Sequence, residues 1–142
     1  MYVDIDIVRP YLIEERHTPL SKKIFSTEKK FSTSVVTVIQ LMADLYTAKK
    51  DLKKLGELEK IELEIVPLDE KIMRIAIEIV KNHKFSTHDA IHAATSIKLK
   101  QKYLSFKREL DKVKGVERED PYIFVSDTTR PGFDNKFRFF KF

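Results

Sequence analysis

The sequence contains no cysteine, and only three glycines and five prolines occur among its 142 residues. Without cysteine, a disulfide framework, thiol chemistry and thiolate metal sites are excluded, and the composition fits a reducing cytoplasm. The small number of glycines and prolines argues against a low-complexity or disordered chain. No Gly-rich phosphate loop occurs, which removes most nucleotide-dependent enzymes.

Long hydrophobic runs are also missing. No apolar stretch approaches the ~20 residues that a membrane span needs. The opening residues MYVDIDIVRP carry acids where a secretory signal would carry bases. We therefore expect a cytoplasmic protein without a membrane segment.

The residues that are present suit one folded domain. Hydrophobic residues make up 42% of the chain and charged residues 35%, with a formal net charge of +5. A positive charge of this size permits an anionic partner such as nucleic acid, but it equally suits a soluble surface of mixed sign.

Apolar periodicity predicts strands that alternate with helices. The predicted strands span residues 1–7, 31–36, 61–68 and 103–106, and the main helices span residues 37–55, 70–82 and 87–100. Strands separated by helices pair in parallel through right-handed crossovers, so we predict an α/β sandwich. The composition changes after Gly115. We therefore assign residues 1–114 to the core domain and residues 115–142 to an extension that packs on the core or on a partner.

Three acids stand at positions that suit a functional site. Asp4 and Asp6 lie near the end of the first predicted strand, where open parallel sheets form their sites, although the wet face of an edge strand explains them equally well. Asp89 lies three residues after Ser86, a capping-box spacing, so a capping role competes with a ligand role. Carboxylates that converge bind hard divalent cations, and such cations hydrolyse phosphodiesters.

Two histidines, His88 and His92, stand four residues apart on the predicted helix that Ser86 opens. This is also the spacing of helical zinc ligands. The pattern lacks the Glu of a metalloprotease motif, and no third His or Cys accompanies it. We favour a structural or surface role for the pair.

Five segments occur in an order that resembles a known family. They are MYVDID, FSTSVVTVIQLMADL, VPLDEKIMRIAIEIVKNH, STHDAIHAATSIKL and SFKRELDKV. Together they resemble the PIN domain family, in particular the VapC-like toxins. The resemblance implies a three-layer α/β/α sandwich with a central parallel sheet. It also implies an Mg²⁺- or Mn²⁺-dependent endoribonuclease that acts on RNA and pairs with an antitoxin protein.

The resemblance also assigns roles to individual residues. The first acid of the family falls on Asp4, Asp6 occupies a position that is usually Asn, and the acid that opens the late helix falls on Asp89. The resemblance therefore predicts a metal site formed by Asp4, Asp6 and Asp89.

Two other family positions differ in this chain. The second acid, usually Glu, falls on Gln40, and Asp44 lies one turn further on the same helix face, where it would partly substitute. The fourth acid falls on Lys107 in the run Ser105-Phe106-Lys107. Glu109 is close to Lys107 and matches a second position that is commonly acidic.

These departures allow two interpretations of Lys107. In the first, the ammonium lies where a metal would and pairs with Asp4 or Asp89, which would hold the carboxylates together at the cost of hydrolysis. In the second, Lys107 points to solvent and Glu109 or Asp111 supplies the fourth acid.

The first functional hypothesis is accordingly a ribonuclease. The alternatives are a catalytically weakened module that binds RNA or a protein partner, and a structural or oligomeric protein.

Basic residues offer candidate contacts to RNA, although each also suits an ordinary surface. The candidates near the predicted cleft are Arg9, Lys22, Lys23, Lys29, Lys30 and Arg108. The final residues KFRFFKF alternate bases with phenylalanines, a pattern that can track a phosphate backbone. Because so many exposed phenyl groups would be unfavourable in water, we favour packing, or a homodimer contact, for this tail.

Overall fold

The computed structural model describes residues 1–125, and a parallel five-stranded sheet lies at its centre. The strands are β1 (Tyr2–Val3), β2 (Phe31–Ser34), β3 (Leu63–Val66), β4 (Tyr103–Leu104) and β5 (Arg118–Glu119). Their order across the sheet is β3-β2-β1-β4-β5, and each neighbouring pair is parallel. β1 is therefore a central strand, so an edge-strand explanation of the acids that follow it is wrong.

Helices cover both faces of the sheet. They are α1 (Ile5–Leu12), α2 (Thr18–Phe25), α3 (Val35–Thr47), α4 (Glu70–Asn82) and α5 (Thr87–Leu99), with 3₁₀ helices at Leu52–Lys60, Arg108–Lys112 and Pro121–Phe124. Tyr2 packs in the apolar cluster of α4 and α5, whereas the next residue, Val3, packs in the cluster of α1 and α2. Because side chains alternate along a strand, one short strand serves both cores. The predicted three-layer α/β/α sandwich is confirmed.

The first strand is shorter than the apolar alternation predicts. It ends at Val3, and Asp4 is the N-cap of α1, where its Oδ1 accepts a hydrogen bond of 2.7 Å from the Ile5 N–H. Asp6 thus lies in the first turn of a helix, so its predicted place on a strand is wrong. A carboxylate is a strong N-cap. The Asp4 cap therefore starts helix α1 at Ile5, and the strand stops one residue before the cap.

The chain continues the sheet beyond the predicted boundary at residue 114. β5 pairs with β4, and Phe124 and Val125 are buried in the apolar cluster of α1 and α2. The predicted boundary at residue 114 therefore falls before β5, the last strand of the sheet. Residues 126–142, which include the KFRFFKF tail, lie outside the described part of the chain. Within residues 1–125, none of the helices is long and apolar enough to cross a membrane.

Candidate functional site

The candidate site lies at the carboxyl end of β1 and β4, which are neighbours in the sheet. Asp4 directly follows β1, and Ser105 directly follows β4. Asp89 approaches from the first turn of α5. This edge is where open parallel sheets place their sites, because the strand ends and helix starts leave a crevice there.

A lysine joins the two acids that come from different elements. The Nζ atom of Lys107 lies 2.5 Å from Oδ1 of Asp89 and 3.6 Å from Oδ2 of Asp4. The Asp4 side chain is 0% exposed, whereas that of Lys107 is 30% exposed. Burial opposes the lysine charge, but Asp4 and then Asp89 outweigh it and raise the pKa of Lys107. The lysine is therefore charged and serves as the counter-ion of both carboxylates.

Ser105 connects Asp4 with Asp6. Its hydroxyl lies 3.1 Å from Oδ2 of Asp4 and 3.0 Å from Oδ2 of Asp6, and the Phe106 N–H also donates to Asp6 Oδ2. A hydroxyl has only one proton, so it cannot donate to both carboxylates at once. The Lys107 N–H donates to the same Ser105 oxygen at 3.1 Å. The strand end therefore holds both acids and the start of the lysine side chain in one arrangement.

Asp6 differs from an ordinary surface acid. Burial, followed by the neighbouring Asp4 charge, raises the pKa of Asp6 to about 7, while hydrogen bonds from Phe106 and Ser105 oppose this rise. Its second oxygen, Oδ1, is buried and has no hydrogen-bond partner among the described residues. At neutral pH a large share of the Asp6 carboxyl groups therefore carries a proton.

His92 also lies beside the site and is fully buried. Its Nδ1 lies 2.6 Å from the Tyr2 hydroxyl, and its Nε2 lies 3.0 Å from Oε1 of Gln40. Burial is the main effect that lowers the pKa of His92, so the ring is neutral. The pattern assigns the proton to Nε2, which donates to Gln40, while Nδ1 accepts from the Tyr2 hydroxyl. The Gln40 oxygen thus already accepts a hydrogen bond from His92.

In this arrangement, the oxygen atoms of the site are not placed to bind a divalent ion. Carboxylate oxygens are suitable ligands for Mg²⁺ and Mn²⁺. However, Asp4 and Asp89 both face the Lys107 ammonium, and Gln40 faces His92. Among residues 1–125, no group of three or more histidines and acids is placed to hold a metal ion.

Three other acids lie outside this arrangement. Asp44 pairs with Arg9, with 3.2 Å between Oδ2 and Nε, so it does not stand in for the acid missing at Gln40. Glu109 is exposed on the 3₁₀ helix Arg108–Lys112, and Asp111 pairs with Arg118 at 2.8 Å. The interpretation in which Lys107 points to solvent is therefore not what the structure contains.

Three residues of the site had no predicted role in it. They are Tyr2, Ser105 and His92, and for His92 a structural or surface role was favoured. A usable signal existed for His92, because it follows Asp89 by three residues and so shares its helix face. Its partner in the strand, Tyr2, gave no such signal, since an aromatic residue in a strand is normally a core residue.

The predicted basic contacts are divided between the two ends of the sheet. Arg108 is exposed and adjacent to Lys107 at the carboxyl end. Lys29 and Lys30 directly precede β2, so they lie at the amino end, away from the site. Arg9 pairs with Glu15 as well as Asp44. Arg108 is thus the best placed of these bases for a ligand of the cleft.

The PIN domain family model matches residues 2–116. The chain therefore belongs to the PIN domain family, and the predicted family resemblance is confirmed. A comparison with curated protein sequences finds no match.

Solved structures of toxin–antitoxin proteins share the fold. A toxin–antitoxin complex from Klebsiella pneumoniae has a TM-score of 0.68 at 17% identity, covering 85% of this chain and 97% of that chain. VapC20 from Mycobacterium tuberculosis, described as a toxin that cleaves the sarcin–ricin loop, has a TM-score of 0.69 at 14% identity, covering 82% and 96%. VapBC2 from Rickettsia felis, bound to a promoter DNA fragment, has a TM-score of 0.67 at 12% identity, covering 84% and 96%.

Proposed function

We propose that this protein is a PIN-type endoribonuclease and the toxin of a toxin–antitoxin pair. The observation that carries the proposal is that Asp4 and Asp89 meet at the Lys107 ammonium, at the carboxyl end of the sheet. These are the residues on which the family's first and late acids fall. Membership of the PIN domain family and the toxins among the similar structures support the same function.

RNA would lie across the exposed side of the cleft. Arg108 and the partly exposed ammonium of Lys107 would attract its phosphates. Mg²⁺ or Mn²⁺ is the cofactor that family membership implies and forms part of the proposal. Because Lys107 occupies the space between the carboxylates, we assign no catalytic step to an ion.

Cleavage of single-stranded RNA tests the proposal directly. We expect the wild-type protein to cut internal bonds in buffer with Mg²⁺ or Mn²⁺, and we expect the rates of Asp4→Asn and Asp89→Asn to fall by about a hundredfold. Glu109→Gln is the matched control, because it neutralises an exposed acid near Lys107 and should leave the rate unchanged. Equal rates in the wild type and both cleft variants would indicate a contaminating nuclease and contradict the proposal.

A second function is favoured by Lys107 and Gln40. A lysine and an amide at two acid positions leave the cleft with less negative charge than two-metal hydrolysis requires. On this basis the chain would be a weakened PIN module that binds RNA or a protein without cutting RNA. The measurement that separates the two functions is the rate of a Gln40→Glu, Lys107→Asp double variant.

The double variant has a different expected result under each function. If the wild type is silent and the folded double variant cuts RNA, the weakened module is correct. If the wild type already cuts RNA and its rate falls with Asp4→Asn, the endoribonuclease is correct. Circular dichroism of each variant establishes that it is folded before its rate is compared.

An antitoxin protein and a homodimer belong to the same proposal. The support for an antitoxin is that the similar structures include the toxin–antitoxin complex from Klebsiella pneumoniae and VapBC2 from Rickettsia felis. Light scattering of the purified chain tests the dimer, and a monomer at micromolar concentration would contradict it. Co-expression with a small DNA-binding protein encoded by a neighbouring gene tests the antitoxin, and failure to co-purify would count against that partner.

A further inference from the structure

The buried charge of Asp4 needs a counter-charge within the fold. An ionised carboxylate that is removed from water is strongly unfavourable unless a cation or several donors accompany it. Ser105 supplies a neutral hydroxyl, and His92 is neutral. Lys107 is the cation that forms an ion pair with Asp4 among the described residues.

We propose that Lys107 is the resident cation of the cleft: in the protein without RNA its ammonium neutralises Asp4 and Asp89 in place of a divalent ion, so that this cleft neither needs nor admits Mg²⁺ or Mn²⁺. The inference goes beyond the proposed function, because it concerns what balances the carboxylates before RNA binds. Metal-dependent cleavage at this site would require the Lys107 ammonium to leave the two carboxylates first.

The backbone directs Lys107 into the cleft. Its N–H donates to the Ser105 hydroxyl, which itself faces Asp4. Ser105 immediately follows the interior strand β4, which pairs with β1 and β5, so this segment is fixed by the sheet. The lysine is thus held at both ends, by its own backbone and by two carboxylates.

A divalent ion and the ammonium require the same oxygens. Mg²⁺ binds carboxylate oxygens at ~2.0–2.1 Å and demands near-octahedral geometry. The ammonium already lies 2.5 Å from Asp89 Oδ1 and 3.6 Å from Asp4 Oδ2. An ion placed between these acids would meet a positive charge at close range, so the two cations exclude one another.

Few further ligands are available to an ion. Gln40 brings no charge, and its oxygen already accepts from His92. Asp6 uses its Oδ2 for Ser105 and the Phe106 N–H, which leaves Oδ1 as its oxygen without a partner among the described residues. Among residues 1–125 no three acids or histidines are placed together to hold a metal ion, so an ion that replaced Lys107 would lack a ready set of ligands.

Mn²⁺ binding and thermal unfolding test the inference. We expect the melting temperature of the wild type to be the same in EDTA and in excess Mn²⁺. Lys107→Met should melt at a lower temperature in EDTA, because Asp4 loses its counter-charge, and Mn²⁺ should restore part of the loss. By electron paramagnetic resonance of free Mn²⁺, this variant should bind the ion at least about tenfold more tightly than the wild type.

Lys102→Met is the matched control. Lys102 also lies near two carboxylates, Glu117 at 3.9 Å and Glu119 at 4.0 Å, but it is half exposed and outside the cleft. Its replacement should change neither the melting temperature in EDTA nor the affinity for Mn²⁺. A Mn²⁺ response as large as that of Lys107→Met would mean that loss of any positive charge promotes binding, and this would overturn the inference.

Two further variants cover the case in which Lys107→Met does not fold. Lys107→Arg keeps the charge and should remain indifferent to Mn²⁺. The Gln40→Glu, Lys107→Asp variant should fold with Mn²⁺ and lose stability in EDTA. Tight Mn²⁺ binding by the wild type, or a double variant that is insensitive to EDTA, would overturn the inference. Because neither readout uses RNA, its failure is distinguishable from failure of the proposed endoribonuclease.

Discussion

Asp6 has two oxygens with unequal surroundings. Oδ2 accepts hydrogen bonds, whereas Oδ1 is buried and has no partner among the described residues. Burial, followed by the neighbouring Asp4 charge, favours the protonated acid and raises the pKa of Asp6 to about 7. At neutral pH the folded protein therefore retains part of the proton at this residue, whereas the unfolded chain releases it almost completely.

This difference predicts how stability depends on pH. Because the folded pKa of Asp6 lies above the unfolded value, its contribution to stability is complete below about pH 4 and is lost as pH rises through about 7. We expect Asp6→Asn to remove this decline and to be more stable than the wild type above pH 7 by roughly 1 kcal/mol or more. Urea unfolding at a series of pH values measures how the free energy of unfolding of the wild type and of Asp6→Asn depends on pH.

A matched acid gives the control. Glu109→Gln should leave the pH dependence as it is in the wild type, because Glu109 is exposed. Parallel stability curves for the wild type and Asp6→Asn between pH 4 and 7 would show that Asp6 titrates normally.

Single residues of the site differ in how far the sequence predicts them. The family resemblance predicted Asp4 and Asp89 in one site, and it gave Lys107 between them as one of two interpretations. The engagement of Gln40 by His92 could not be predicted, because it joins α3 to α5 across 52 residues and depends on their packing. Hydrogen bonds of this kind carry no local sequence pattern.

Helix α5 combines a polar start with a buried body. The Ser86 hydroxyl accepts the N–H of Asp89 at 3.1 Å, so Ser86 caps the helix. The Asp89 carboxylate instead accepts from Lys107. Ala90, Ala93 and Ala94 are fully buried, and these small residues let α5 lie close to its neighbours. One element thus fixes the site and a large part of the core.

Removal of the cap should destabilise this element measurably. We expect Ser86→Ala to lower the free energy of unfolding by about 1 kcal/mol, because the Asp89 N–H loses its acceptor. Ser86→Asn retains a capping oxygen and should stay within about 0.5 kcal/mol of the wild type. Urea denaturation of the three proteins is the measurement, and an equal loss in both variants would show that the cap bond has no role.

Local sequence patterns predict some helices and strands correctly and others wrongly. The helix predicted over residues 70–82 is confirmed, because the Asp69 cap and the 3.6-residue period agree. The strand predicted over residues 1–7 is wrong beyond Val3. Its alternation of acids with isoleucines also fits a capped first helical turn, and only packing against the sheet decides between the two.

Within residues 1–125, the candidate site lies at the carboxyl end of the sheet, whereas Lys29 and Lys30 lie at the amino end. If RNA binds at the candidate site, Arg108→Glu should weaken binding and reduce the salt dependence by about one ion. Lys29→Glu changes the net charge equally at the opposite end and should have a clearly smaller effect. Fluorescence anisotropy with labelled single-stranded RNA at several salt concentrations measures both. Equal losses would indicate general electrostatic attraction instead of a site.

The order of the strands is the feature of the whole molecule that periodicity leaves open. Alternating strands and helices predict a parallel sheet, and this prediction is confirmed. They do not state that β4 lies beside β1, yet this pairing brings Ser105 to Asp4. The family resemblance, which rests on ordered segments within residues 1–114, implied the central parallel sheet and the acids of the site.

Asp4 performs two tasks with its two oxygens: Oδ1 caps α1, and Oδ2 faces Ser105 and Lys107. A genetic screen of this chain would therefore confuse loss of folding with loss of function at this position. Alanine would remove both tasks, and only asparagine, whose single oxygen can retain the cap, separates them. Its amide group would then meet the lysine ammonium as a second donor. A phenotype at Asp4 is therefore informative about the cleft only when alanine and asparagine are compared side by side.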